Sequence, residues 1–141
     1  MSTKNVLWVD DDVNRFALLP DRDELESRGC RIIEAPRPED FLKVLNDQLF
    51  QIDCIIIDIA MPTGTLDMTE SEYGMRTGFV LINKIRKSNS KYKNAKIIVY
   101  TVMEDSEVRQ SCQNHNILYL SKSIKAEEFA DRVMEYIEYN N

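Results

Sequence analysis

Five short apolar runs, each separated from the next by a polar stretch with helical spacing, constrain this chain more than any other feature. The runs are residues 6–9 (VLWV), 31–34 (RIIE), 52–57 (IDCIII), 96–100 (KIIVY) and 117–120 (ILYL). The third and fourth are rich in Ile and nearly unbroken, as strands buried on both faces must be. Between the runs, Phe41, Val44, Leu45 and Leu49 form one helical stripe, and Leu81, Ile82 and Ile85 form a second. Phe129, Val133 and Ile137 form a third near the C-terminus. Strand and helix alternating five times predict an α/β fold, a doubly wound five-stranded parallel sheet with helices on both faces. A length of 141 residues, 43% of them hydrophobic, suits one compact domain spanning 1–141 with its own core.

Two stretches depart from a plain repeat. Residues 13–19 have helical spacing, but Pro20 interrupts them before 21–28 run on to Gly29, a C-terminal cap. A kinked helix or two short ones is expected there. The weakest helix is 104–112, with only Val108 and Cys112 as an apolar pair. The connection 63–77 is extended, where compact domains typically use about four to six residues. It is either a slack insertion or a loop that docks a partner.

The net charge of -6 argues against direct nucleic-acid binding, which depends on Lys and Arg neutralising phosphates. Cys30, Cys54 and Cys112 form no C-x-x-C pair, so they read as reduced thiols rather than zinc ligands or a disulfide framework. No signal-like segment opens the chain and no apolar run is long enough for a bilayer. A cytoplasmic protein without membrane contact is expected. Trp8 reads as core, two residues before Asp10 on the same side of its strand, and His115, the only histidine, as surface.

Open parallel sheets bind ligands beyond the carboxyl ends of their strands. Here the first run closes on Asp10, Asp11 and Asp12, the third on Asp58 and the fourth on Thr101, while Lys122 follows the fifth. In the flavodoxin-like order 2-1-3-4-5, strands 1, 3, 4 and 5 are neighbours, so these ends converge on one pocket. Clustered carboxylates repel, and a hard cation such as Mg2+ relieves them through oxygen ligation, here by Asp10, Asp11 and Asp58. A carboxylate can also attack phosphorus, giving an aspartyl phosphate. The Lys122 ammonium and Thr101 hydroxyl would then stabilise the charge on the transferring group. Singly, each residue has a plainer explanation as a turn, a helix cap or ordinary surface. Together, at successive inner strand ends, they point to a shared site.

These residues carry a family resemblance. VLWVDD (6–11), IIIDIAMP (55–62), IIVYT (97–101) and YLSK (119–122) resemble the segments of response-regulator receiver domains of two-component signalling, chemotaxis-regulator-like proteins. The match runs over nearly the whole chain. It implies that Asp10 and Asp11 hold Mg2+, or Mn2+ in its place, with Asp58 and the backbone carbonyl of Ala60. Asp58 would be the phosphorylated residue, Thr101 and Lys122 the phosphoryl-binding pair, and Tyr119 the ring that swings inward with the Thr hydroxyl. The donor would be a phosphohistidine on a sensor histidine kinase or a histidine phosphotransfer protein. A downstream protein would read the face near the last two helices and strand, so the chain would be a signalling phosphoprotein rather than an enzyme.

Several positions depart from the family pattern. Ser123 stands where relatives have Pro, often after a cis bond, which puts the approach of Lys122 in question. Val102 follows the Thr where a small residue is usual and could crowd the site. Ala60 and Met103 replace polar residues that orient water in relatives, which implies slow self-dephosphorylation. Two rivals follow. In a phosphorylation-independent binding module, Asp58 would take no phosphate. In a haloacid-dehalogenase-type phosphatase, Asp10 rather than Asp58 would be the nucleophile.

Overall fold

The computed structural model describes residues 3–72 and 74–139. Tyr73, within the expected 63–77 loop, and Met1, Ser2, Asn140 and Asn141, at the ends of the expected 1–141 domain, lie outside the described residues. The elements run β1 (Lys4–Val9), a 3-10 turn (Phe16–Leu18), α1 (Leu19–Ser27), β2 (Cys30–Ala35), α2 (Pro38–Asp47) and β3 (Cys54–Ile57). Then come α3 (Thr77–Lys87), β4 (Ile97–Thr101), α4 (Ser106–Asn114), β5 (Leu118–Ser121) and α5 (Ala126–Tyr139). All pairings are parallel and the order is β2-β1-β3-β4-β5, the doubly wound topology expected.

Strand alternation divides the core in two. Leu7, Val9, Ile55, Ile57, Ile97 and Val99 pack against Phe41 and Leu45 of α2, Leu81 and Ile85 of α3, and Val108 and Cys112 of α4. Val6, Trp8, Ile56, Ile98, Tyr100 and Leu120 pack instead against Leu25 of α1 and Phe129, Val133 and Ile137 of α5. Trp8 is fully buried, as expected, against the rings of Phe129 and Tyr100.

The Pro20 interruption resolves into a 3-10 turn followed by a helix with the proline in its first turn, where a missing N–H costs nothing. Gly29 follows the cap of α1 at φ +90°, a conformation that favours glycine. Several expected boundaries shift, and α4 begins at Ser106 rather than 104. β3 begins at Cys54 rather than 52. Gln48 adopts a left-handed conformation that ends α2, so Leu49 leaves the stripe and is exposed. Thr77, placed in the loop from sequence, is the first residue of α3.

The long connection after β3 is not slack. Thr63 and Ser71 are buried with their hydroxyls 2.9 Å apart, and Leu66 enters the core. Thr65 N–H donates to Glu39 of α2 at 2.8 Å, and Met61 N–H to the Gly74 carbonyl at 3.0 Å. The Thr77 hydroxyl donates to the Met61 carbonyl at 2.7 Å. At its far end Gly78 N–H bonds the Ile59 carbonyl at 2.9 Å. The approach is so close that a Cβ on Gly78 would overlap the Asp58 carbonyl oxygen and lie 2.8 Å from Ile59 Cα.

Because that contact is backbone against backbone, Gly78→Ala should destabilise the fold by about 2 kcal/mol, the range for overpacking a tight site. Urea unfolding measures it, and an unchanged midpoint would show that α3 can back away freely.

Candidate functional site

β1 and β3 end in register, Val9 beside Ile57, so the next residues, Asp10 and Asp58, leave the sheet side by side. The ladder continues into them: Asp10 N–H bonds the Ala35 carbonyl at 3.2 Å and Asp58 N–H the Val9 carbonyl at 3.0 Å. Alternation turns both toward the α1/α5 side, and Lys122, two residues past Leu120, follows the same parity. The Lys122 ammonium lies 2.8 Å from Asp10 Oδ2 and 2.8 Å from Asp58 Oδ2. Only the contact to Asp58 is aligned as a hydrogen bond. The Lys122–Ser123 peptide is trans, and Lys122 nonetheless reaches both carboxylates.

Both aspartates are buried, and Asp10 is fully so. Burial pushes the Asp10 carboxyl from 3.8 up to about 6; Lys122 pulls it down and Asp58 pushes it up further. Burial, then the neighbouring Asp12, also raises Asp11. Burial works against the charge on Lys122, but Asp10 and Asp58 outweigh it and hold the ammonium above its ordinary range.

One ammonium does not neutralise this cluster. Asp10, Asp11 and Asp12 present carboxylate oxygens within 4.8 Å of one another. Asp58 lies outside that group, and its buried Oδ1 has no hydrogen-bond partner. An uncompensated buried carboxylate oxygen beside three converging carboxylates fits a hard divalent cation. Asp12 therefore joins the expected Asp10 and Asp11 in the close group, while also donating its N–H to Asp10 Oδ1 at 2.9 Å. Ala60, two residues past Asp58, is half-buried at the start of the loop.

Thr101 and Tyr119 have the opposite parity and lie on the α4 side. Thr101 is fully buried, and its Oγ1 accepts Met103 N–H at 3.3 Å. The half-buried Tyr119 donates its hydroxyl to the Met103 carbonyl at 2.7 Å, with the Arg109 guanidinium 5.2 Å from its ring centre. Val102, next to Thr101, is 70% exposed.

Sequence reasoning missed three supports. Asp21 of α1 is buried and accepts the Tyr100 hydroxyl at 2.9 Å; an acid in a helix's first turn gave no sign of burial. Arg22 joins the Val13 carbonyl at 3.1 Å to Glu34 at 2.7 Å, pinning the acidic loop from behind. Glu104 accepts hydrogen bonds from Ser121 and Ser123, the residues on either side of Lys122.

The family model described as response regulator receiver domain matches residues 6–134. Among solved structures, a response regulator from Thermotoga maritima is 21% identical with a TM-score of 0.71, the match covering 96% of this chain and 98% of that one. The receiver domain of Francisella response regulator 1452 is 23% identical with a TM-score of 0.73, covering 99% and 100%. The chemotaxis protein CheY4 of Vibrio cholerae is 22% identical with a TM-score of 0.70, covering 96% and 99%. At these identities the structural likeness is one of fold. No curated protein sequence matches the chain.

The raised Asp10 makes stability depend on pH. An acid whose folded pKa lies above its unfolded value adds stability only while protonated, so this contribution is complete below 3.8 and lost as pH rises through about 6. Without divalent cations, unfolding free energy should fall by on the order of 1 kcal/mol between about pH 5 and pH 6.5 and then level off. Asp10→Asn should flatten that slope. Urea titrations across the window check this; a wild-type midpoint that climbs with pH contradicts it.

Proposed function

The chain belongs to the response regulator receiver family, and from that membership we propose that it is a phospho-switch in which Asp58 accepts a phosphoryl group from a phosphohistidine donor. The observation that carries this reading is the shared ammonium: Lys122 sits 2.8 Å from both Asp58 and Asp10 at the carboxyl end of the central strands. An Asp58 oxygen bonds to phosphorus as the P–N bond to the donor imidazole breaks, and that bonding pair stays on the ring nitrogen. Lys122 is poised to pair with one phosphoryl oxygen, and the Thr101 hydroxyl, which faces the α4 side in the unphosphorylated chain, would turn over the strand tip to donate to another. Mg2+, or Mn2+, held by Asp10, Asp11, Asp58 and the Ala60 carbonyl, supplies neutralisation of the developing phosphoryl charge.

Donor and reader are proteins in this proposal, a sensor histidine kinase or histidine phosphotransfer protein on one side and a downstream partner on the other. The net charge of -6 gives no general electrostatic attraction for nucleic acid. Among the described residues, no helix is long and apolar enough to cross a membrane. We place the protein in the cytoplasm, where such donors present their phosphohistidines. Phosphorylation would act by shifting an equilibrium between two arrangements of the α4–β5–α5 face that the partner tells apart.

Incubation with acetyl phosphate and Mg2+, followed by peptide mass spectrometry, should place one phosphoryl group on Asp58. Asp58→Asn and removal of the cation should each abolish it. A phosphoryl group on Asp10 would mark the phosphatase instead, and no incorporation would mark a phosphate-independent binding module. The methyl group of Ala60 and the thioether of Met103 cannot orient an attacking water, so the aspartyl phosphate should persist for minutes or longer at room temperature. Loss within seconds, followed by phosphate release, would refute that.

A further inference from the structure

The loop 102–105 follows Thr101 and is held by side chains. Thr101 Oγ1 takes Met103 N–H at 3.3 Å, and the Tyr119 hydroxyl reaches the Met103 carbonyl at 2.7 Å. The next residue makes the widest connection. Glu104 Oε1 accepts the Ser121 hydroxyl at 2.5 Å and the Ser123 hydroxyl at 3.2 Å. The two hydroxyls are themselves 2.7 Å apart, and Ser121 Oγ accepts Ser123 N–H at 3.1 Å. A single carboxylate thus ties the loop leaving β4 to the residues on both sides of Lys122, whose own N–H bonds the Thr101 carbonyl at 2.9 Å.

We propose that Glu104 is a positioning residue for phosphoryl transfer, clamping the segment that carries Thr101 to the segment that carries Lys122 so that the two phosphoryl-binding groups move as one unit. The inference rests on Asp58 being the phosphoacceptor. Its physical basis is preorganisation: two groups must meet different oxygens of one phosphoryl group, and displacement of either is costly when geometry is tight. They stand on opposite faces of the sheet by strand parity, so the core packing of one does not hold the other. Hydrogen bonds to an ionised acceptor are stronger than neutral ones. The two serine hydroxyls hold the Glu104 carboxyl below its usual range, so it stays ionised at neutral pH. Ser123 has a role here that proline at that position could not fill, since proline has neither a side-chain hydroxyl nor an N–H for Ser121.

The test uses the full chain and beryllium fluoride with Mg2+, titrated by calorimetry. Glu104→Ala should weaken beryllofluoride binding and slow acetyl phosphate labelling of Asp58 by about tenfold, while Glu104→Gln, which keeps an acceptor oxygen, recovers most of both. The double variant Ser121→Ala with Ser123→Ala should match Glu104→Ala. Because Glu104 is exposed, thermal unfolding of its variants should stay near wild type, which separates positioning from general stability. Wild-type binding that is unchanged in Glu104→Ala, or a Gln variant no better than Ala, overturns the clamp alone. A wild-type chain that takes up neither beryllofluoride nor phosphoryl overturns the phosphoacceptor reading, and the clamp with it.

Discussion

A lysine ammonium shared between two buried carboxylates organises this molecule. Lys122 stands 2.8 Å from both Asp10 and Asp58, in a place where any one of the three charges alone would be heavily penalised. The balance is incomplete: two buried carboxylates and the half-buried Asp11 share the Lys122 ammonium, while Arg15 reaches only the outer Asp12 at 3.5 Å. The deficit shows in Asp10, which burial holds up at about 6 despite its ion pair, and in Asp58 Oδ1, which has no partner. A fold that only needed stability would have replaced such a cluster with apolar side chains. Keeping it makes sense where further positive charge arrives, or where one carboxylate is consumed by bond formation.

The sheet makes this arrangement possible through register and parity. Val9, Ile57 and Val99 sit level across the three central strands, so the residues that follow the first two emerge together. Parity then sorts the polar strand ends. Asp10, Asp58 and Lys122 face the side of α1 and α5, whereas Thr101 and Tyr119 face α4, and the two sets meet only over the strand tips. A change at the carboxylates reaches α4 through the main chain of β4 and β5 and through the loop 102–105. That loop is where Thr101, Tyr119 and Glu104 each make a hydrogen bond.

What could be read from the sequence was whatever repeats. The strand–helix alternation fixed the topology, and asking which polar residue closes each strand found Asp58, Asp10, Thr101 and Lys122, because strand ends in a parallel sheet are forced to share a rim. Supports made by residues from unrelated positions carried no pattern. Asp21 is buried because Tyr100 on β4 points at the first turn of α1, a relation spanning 79 residues. Glu104 looked like an ordinary residue in a weak helix, and in fact lies before α4 begins at Ser106. Leu49 fitted the helical stripe by spacing alone, but the left-handed Gln48 ended the helix before it. Periodicity reports which face a residue would take if the element continued; it does not report where the backbone turns away.

The long connection after β3 shows how such a site tolerates insertion. It leaves directly from the proposed phosphoacceptor, where slack would be most damaging. Each end is fastened independently of what lies between. On one side Asp58 remains in the ladder through its N–H to Val9. On the other, Gly78 presses the start of α3 against the Asp58 carbonyl, and the Thr77 hydroxyl reaches back to Met61. Closing a longer loop adds entropy cost only logarithmically. The buried Thr63–Ser71 pair and Leu66 further give the insert packing of its own. The geometry at Asp58 is therefore decoupled from the length of the segment that follows it, and the extra residues can change the rim of the site without moving its centre.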